Sequence, residues 1–471
     1  MSLNLQKRPF IREKKLNATN AYYGNWGNLL AVVESDELKQ RIRTFSQVST
    51  DEIIYTLESI NGIENSVIII HGPAGCASAQ LNLYLKDSGR PWLVTNLTEQ
   101  DSILGGDSKL REAVGKALEK YNPKVIFIVS TPVVAINNDD IQSIIYELEE
   151  EVEIPIIPIY SDGFKSKISA YGYDLALHAV AKYILPSAQK TEKSNFVNII
   201  SISESDRQLR AITKILNDLG INYNTISRNS SIDNIKKSVN AKATVAIDKV
   251  SGNFLAELLR DEFNIPYIET SSPIGIKATN KWIIDISREL GIEEEANKYI
   301  LKNLKSLDKA IKSNVIGGRK IYINHLPTAA FELSKLLEEL NAEIAGITVE
   351  YIDNISVEEL KRFRDKDKEA KIHVSTGQIF EVLNIVKKVN PDLYIGRAAD
   401  SVWVSKSGIK SIALDSEQLY GYEGIAKILK EFSKVFDNDN LEGYLSDNIR
   451  LPYHENWFGK STNWYIKQEV K

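Results

Sequence analysis

Ser66-Val-Ile-Ile-Ile-His71-Gly-Pro-Ala-Gly-Cys76-Ala77 is the stretch on which the reading of this chain turns. Ser66 to Ile70 is a short β-branched run closed by glycines, the pattern of a buried strand. The segment Ala77 to Lys86 reads as a helix that starts just past the glycines. Cys76 is therefore expected at a strand-to-helix turn, where free backbone N–H groups and the helix dipole favour an anion such as a thiolate. It is the only cysteine in 471 residues, which excludes an intrachain disulfide and makes a reducing cytoplasm the simple expectation. The thiol reads equally as a metal ligand, a nucleophile or a small buried hydrophobe.

Working outward, similar apolar runs recur. Strands are expected at Trp92–Thr95, Lys124–Ser130, Ile154–Tyr160, Phe196–Ile202, Thr244–Asp248, Lys320–Asn324, Lys371–Ser375, Asp392–Ile395 and Ser411–Leu414. Amphipathic runs with a period near 3.6 separate them, among them Leu110–Tyr121, Leu209–Leu219, Phe254–Phe263, Phe331–Leu340 and Ile379–Val389. Alternating β and α elements with near-continuously apolar strands predict an α/β fold of parallel sheets covered by helices on both faces. Ligands of such sheets gather at the carboxyl ends of the strands.

The length calls for two to four domains. Polar stretches at Leu185–Ser194 and Lys302–Arg319 divide the chain into three Rossmann-like domains, 1–190, 191–315 and 316–471. The aromatic tail, Tyr453 to Phe458 with Trp464 and Tyr465, reads as a strap on the body or on a partner. Neither Gly-x-Gly-x-x-Gly nor a P-loop occurs, so a dinucleotide or P-loop ATP site has no sequence support. Lys and Arg number 58 against 63 Asp and Glu, a net charge of -5. That balance argues against a nucleic-acid partner. The basic Lys7–Lys15 segment precedes no long apolar run, so no membrane anchor is expected.

Several strings in order resemble the nitrogenase component 1 family. They are His71-Gly-Pro-Ala-Gly-Cys76; Asn96-Leu-Thr-Glu-Gln-Asp-Ser-Ile-Leu-Gly-Gly-Asp-Ser-Lys-Leu110; Ser130-Thr-Pro-Val-Val-Ala-Ile-Asn-Asn-Asp-Asp-Ile141; Ser161-Asp-Gly-Phe-Lys165; Asn264-Ile-Pro-Tyr267 with Pro273-Ile-Gly-Ile276; and Gly421-Tyr-Glu-Gly424. The first two look closest to the cofactor-carrying α-type subunit. The resemblance implies three Rossmann-like domains around a central cleft. It also implies pairing with a second component 1-like subunit, as homodimer, heterodimer or heterotetramer, and an ATP-dependent iron–sulfur reductase protein docking near Asp139 and Asp140.

The departures from the family pattern matter as much. The resemblance makes Cys76 one of three cysteines that a subunit gives to a cluster at the subunit interface. Pro132 stands at the second position, and the third, placed around Ala21 to Leu29, holds no cysteine. A 4Fe-4S-type cluster is usually held by four thiolates, so the resemblance implies a cluster shared with another subunit. On the cofactor side, Asp248 and Ser411 stand where the family has a cysteine and a histidine, and Ser169 and Tyr173 where it has a glutamine and a histidine. Hard oxygen groups suit a soft iron–sulfide cofactor poorly, so no molybdenum–iron cofactor of the nitrogenase type is expected. What remains is a site of Tyr173, Asp248, Tyr84, Ser169 and Ser411. Asp248 and Tyr173 are the expected proton donors to an organic substrate, and Ser169, Tyr84 and Ser411 are the cofactor-side positions. The bland alternatives are that Asp248 caps a helix, that Asp139 and Asp140 begin one, and that the five histidines are structural. The expected function is the component 1-like subunit of a two-component reductase acting on a substrate other than dinitrogen. The alternative is a non-catalytic scaffold for a metallocluster or a tetrapyrrole-like ligand.

Overall fold

The computed structural model describes residues 19–34, 41–45, 47, 51–83, 91–163, 166, 168–191, 194–203, 205–227, 230–366, 370–414, 419–438 and 440–468. The described residues pack as two compact units. One is drawn from 51–204 and 220–269, the other from 15–50, 205–219 and 270–471.

The first unit carries two parallel sheets. In one, the strand order is Trp92–Val94, Ser66–His71, Val125–Ser130, Ile156–Ile159. Its two central strands are buried at every position, which is why they read as unbroken apolar runs rather than as alternation. Their register aligns Ser66 with Val125 and His71 with Ser130, so the carboxyl ends of both strands finish side by side. The second sheet has the order Tyr223–Ser227, Val197–Ser201, Ala243–Ala246.

Two helices in this unit cross with their backbones in contact. Helix Glu52–Asn61 starts at Asp51, whose Oδ1 accepts the Ile53 N–H at 2.9 Å, and every residue from Glu52 to Ile60 is buried. Against it lies helix Tyr171–Ile184, where a Cβ added to Gly172 would stand 2.0 Å from the Glu52 carbonyl oxygen. Only glycine permits that approach.

The second unit is built on a six-stranded sheet in the order Tyr22–Asn25, Lys371–Val374, Glu343–Val349, Lys320–Asn324, Leu393–Gly396, Ser411–Ala413. The last five run parallel, and Tyr22–Asn25 closes one edge antiparallel. The tail straps onto the same unit. The Trp457 indole N–H donates to the Phe380 carbonyl at 2.8 Å, and the Asn384 amide donates to the Trp457 carbonyl at 2.7 Å. Strand Ile466–Gln468 then pairs antiparallel with Arg41–Arg43. This mixed fold of parallel sheets flanked by helices is the expected α/β class. No described helix is long and apolar enough to cross a membrane.

Candidate functional site

The carboxyl end of the first sheet gathers three helix starts. Cys76 lies within helix Ala74–Leu83 rather than on the turn before it, because the Pro73 carbonyl already accepts the Cys76 N–H at 3.1 Å. Gly72 and Pro73 make the whole turn. Pro132 begins helix Pro132–Asn137, and Asp51 caps helix Glu52–Asn61. The Cys76 thiol is half-buried. Burial pushes its pKa up, the Asp51 carboxylate pushes it further, and a hydrogen bond from the Val133 N–H opposes both. The expected thiolate-favouring turn is thus an environment that keeps the proton on sulfur.

Residues 21–29 do not supply a neighbour to this thiol from the same unit. They form strand Tyr22–Asn25 and the start of helix Trp26–Glu34 in the six-stranded unit. The upstream group beside Cys76 is Asp51. Among the described residues no group of three or more His, Cys, Asp or Glu side chains is placed to hold a metal ion. One thiol does not by itself supply the four thiolates that usually hold an iron–sulfur cluster.

Next to this, one histidine ties three of the sequence strings together. His71 is fully buried at the end of its strand. Its Nδ1 lies 3.1 Å from the Thr95 hydroxyl, and its Nε2 faces Asp139 Oδ2 at 3.4 Å. A Cβ on Gly106 would stand 2.9 Å from the imidazole and 3.0 Å from Asp139. Burial lowers the His71 pKa to about 4, so the ring is neutral at ordinary pH. Burial, with Asp107 nearby, raises that of Asp139. Asp140 instead caps helix Ile141–Leu148 through the Ser143 N–H at 3.1 Å.

Above that joint lies an exposed apolar patch. Helix Glu99–Leu104 is fixed by a Thr98–Asp101 capping box, and the Asn137 amide of the neighbouring helix donates to the Ser102 carbonyl at 2.9 Å. The pair of helices presents Ile103 at 82%, Leu104 at 75% and Ile136 at 71% exposure. Large aliphatic side chains exposed on neighbouring helices are a candidate interaction surface.

The family model for nitrogenase component 1 type oxidoreductases matches residues 59–437. This chain belongs to that family. Among its relatives is the nitrogenase iron-molybdenum cofactor biosynthesis protein NifE of Methanococcus maripaludis, 26% identical over 375 residues, covering 77% of each chain. Another is the nitrogenase molybdenum-iron protein alpha chain of Methanothermobacter marburgensis, 23% identical over 353 residues and covering 73% of this chain and 74% of the other. The solved structure described as nitrogenase Cp1 at pH 6.5 shares the fold with a TM-score of 0.76 at 18% identity, over 88% of this chain and 97% of that one. In this component 1 family member the glycine-cysteine string, the Gly105-Gly106 string and the Asp139-Asp140 string meet at His71.

The remaining expected site residues are dispersed. Asp248 is 7% exposed and caps helix Lys249–Phe263, accepting the Val250 N–H at 2.8 Å. Tyr173 is buried, and its hydroxyl donates to Glu58 Oε2 at 2.6 Å. Burial and then Glu58 raise the phenol pKa well above its ordinary value, and Asp248 contributes, so Tyr173 and Asp248 do lie within electrostatic reach. Ser169 sits half-buried in the turn before helix Tyr171–Ile184. Ser411 belongs to the other unit, where its hydroxyl bonds Ser405 Oγ at 2.7 Å and the Ser401 carbonyl at 2.9 Å. Tyr84 lies outside the described residues.

Sequence reading missed Asp51, Glu52 and Glu58. Glu52 is buried and takes the Asp162 and Gly163 N–H groups on Oε1 at 2.9 and 3.1 Å. The sequence signal available was Asp51-Glu52 ahead of an apolar run, a helix-start signature. Glu58 carried none, since a lone acid in a helical pattern usually marks the solvent face.

Proposed function

We propose that this chain is the component 1-like subunit of an ATP-dependent two-component reductase. It docks an iron–sulfur reductase protein on the surface of Ile103, Leu104 and Ile136, beside Asp139 and Asp140, and works with a second component 1-like subunit. The observation that carries this reading is the apolar patch. Among the described residues Ile103, Leu104 and Ile136 are the most exposed large aliphatic side chains, and the two helices that carry them are joined by the bond from the Asn137 amide to the Ser102 carbonyl. The substrate is an organic molecule rather than dinitrogen, because Asp248 and Ser411 stand where soft ligands would be required. Asp248, at the carboxyl end of strand Ala243–Ala246, is the proposed proton donor. Tyr173 acts through Glu58 as a buried proton-holding pair behind it.

The test is anaerobic co-purification of the chain after co-expression with candidate iron–sulfur reductase and component 1-like proteins from the same organism. An ATP-dependent complex that Leu104→Asp and Ile136→Asp each weaken at least tenfold supports the reading. A complex indifferent to both substitutions overturns the docking surface.

The similarity to NifE-type cofactor biosynthesis proteins, together with the absence of a soft ligand at Asp248, favours a second reading. In it the chain holds a metallocluster precursor or tetrapyrrole-like ligand without turnover. Asp248→Asn separates the two: loss of turnover with ligand binding intact fits the reductase subunit, and no turnover in either protein with ligand retained fits the scaffold.

A further inference from the structure

The two helices of the apolar patch end at one buried imidazole. Helix Glu99–Leu104 stops at Gly105, whose φ of 103° suits glycine, and the next residue, Gly106, lies against the His71 ring and Asp139. Helix Pro132–Asn137 stops at Asn138 in the left-handed region, and the Asp139 N–H then bonds back to the Val134 carbonyl at 3.3 Å. His71 Nε2 and Asp139 Oδ2 are both buried, and neither has a hydrogen-bond partner among the described residues. They face each other at 3.4 Å, just beyond a normal bond.

The other ring nitrogen adjoins a hydroxyl that has one proton and two acceptors. Thr95 Oγ1 stands 3.1 Å from His71 Nδ1 and 3.3 Å from the Gly72 carbonyl oxygen, and it accepts the Gly72 N–H at 2.9 Å. A neutral imidazole carries its proton on one nitrogen only. With Asp139 ionised, the ring proton belongs on Nε2, facing the carboxylate, and Thr95 donates to Nδ1. With Asp139 protonated, the acid O–H points at Nε2, the ring proton sits on Nδ1, and Thr95 donates to the Gly72 carbonyl. The change takes up one proton from solvent and leaves the ring neutral. Asp107 is the charged neighbour of Asp139. Asp101 and Asp140, on the adjoining helices, are bonded to Thr98 and Ser143.

We propose that Asp139, His71 and Thr95 form a one-proton switch beneath the patch, and that a protein docking on Ile103, Leu104 and Ile136 draws the proton in. This rests on the docking reading and adds its regulation. Only 7% of the Asp139 side chain still meets water. Covering the patch removes that water too, which disfavours the carboxylate. The complex then binds more protons than the free chain, so capture tightens as pH falls. The upward shift of the Asp139 pKa, by burial and then by Asp107, agrees in direction. Burial keeps His71 neutral down to about 4, so the ring changes tautomer rather than charge.

Two measurements test it. In the free chain, NMR of nitrogen-15-labelled histidine, with His71→Gln to assign the signal, is expected to show His71 passing from the Nε2–H to the Nδ1–H tautomer as pH is lowered from 8 to 5. The change should be absent from Asp139→Asn. A ring that keeps one tautomer throughout, or becomes an imidazolium, overturns the switch. In the complex, capture of the candidate iron–sulfur reductase protein should tighten by at least about threefold from pH 8 to pH 6, one proton allowing at most about a hundredfold. Asp139→Asn should bind equally at both. Capture that is constant or weakens toward pH 6, or whose pH dependence survives Asp139→Asn, overturns the linkage. Capture that is absent at every pH, or indifferent to Leu104→Asp and Ile136→Asp, fails the docking reading and with it the linkage, whereas the tautomer result on the free chain decides the switch separately.

Discussion

Glu381 is buried with no exposed side-chain surface and receives the Arg43 guanidinium at 3.0 and 3.1 Å and His373 Nε2 at 2.8 Å. Burial pushes its pKa up, but His373 and Arg43 more than offset that, so it stays ionised. Arg43→Ala is therefore expected to destabilise the protein by about 3–5 kcal/mol, because it leaves a buried charge facing a neutral imidazole. Urea unfolding checks this; a loss below about 1 kcal/mol would show that the guanidinium is dispensable. His71 makes a pH prediction. Its folded pKa of about 4 lies below the ordinary 6.5, so unfolding takes up a proton within that window. Stability falls as pH drops from about 6.5 toward 4, by on the order of 2–3 kcal/mol for His71 alone. Asp139 opposes this, since its raised pKa lets the native state bind a proton first. Urea midpoints at pH 7.5 and 5 should separate less in His71→Gln than in wild type, and more in Asp139→Asn. None of these partners was legible in the sequence, because Arg43 and Glu381 are 338 positions apart. A polar residue in a helix pattern reads as solvated until its distant partner is known.

At the level of elements, strands with continuous apolar character declared themselves to within a residue or two, as Ser66–His71 and Val125–Ser130 did. Strands whose neighbours make them strands did not. Tyr22–Asn25 contains Gly and Asn and is held by its pairing with Lys371–Val374. Tyr223–Ser227 is largely polar and lies at the edge of its sheet. Glu343–Val349 is interrupted by Gly346, where a Cβ would stand 2.7 Å from the Tyr322 ring. The helix crossing at Gly172 was equally hidden, since Ala-Tyr-Gly-Tyr reads as a weakened helix start. Gly172→Ala forces apart two backbones 2.0 Å from the added carbon and is expected to cost at least about 2–3 kcal/mol. Gly115→Ala in helix Asp107–Tyr121, where nothing lies within 4 Å, should instead stabilise slightly, by about 0.4–1 kcal/mol. Chemical denaturation of the two variants side by side makes the comparison.

At the scale of the molecule, the joint of His71, Gly106 and Asp139 adjoins a pole that has one thiol and a proline. That contrast separates docking from metal binding, and two substitutions expose it. Leu104→Ser removes an exposed apolar side chain, so the unfolding midpoint should stay within about 1 °C while reductase capture weakens, because surface positions carry little folding energy. Gly106→Ala drives a carbon to 2.9 Å from the His71 ring and 3.2 Å from Leu97, so both stability and capture should fall. If Gly106→Ala lost stability yet captured the reductase normally, the joint would be a core feature unrelated to docking. If Leu104→Ser lost stability, the patch would be packing and not a surface for a partner. Both measurements, thermal unfolding and ATP-dependent capture, are made on the same purified chain. The joint is a support for docking only if the pair of variants splits in this way.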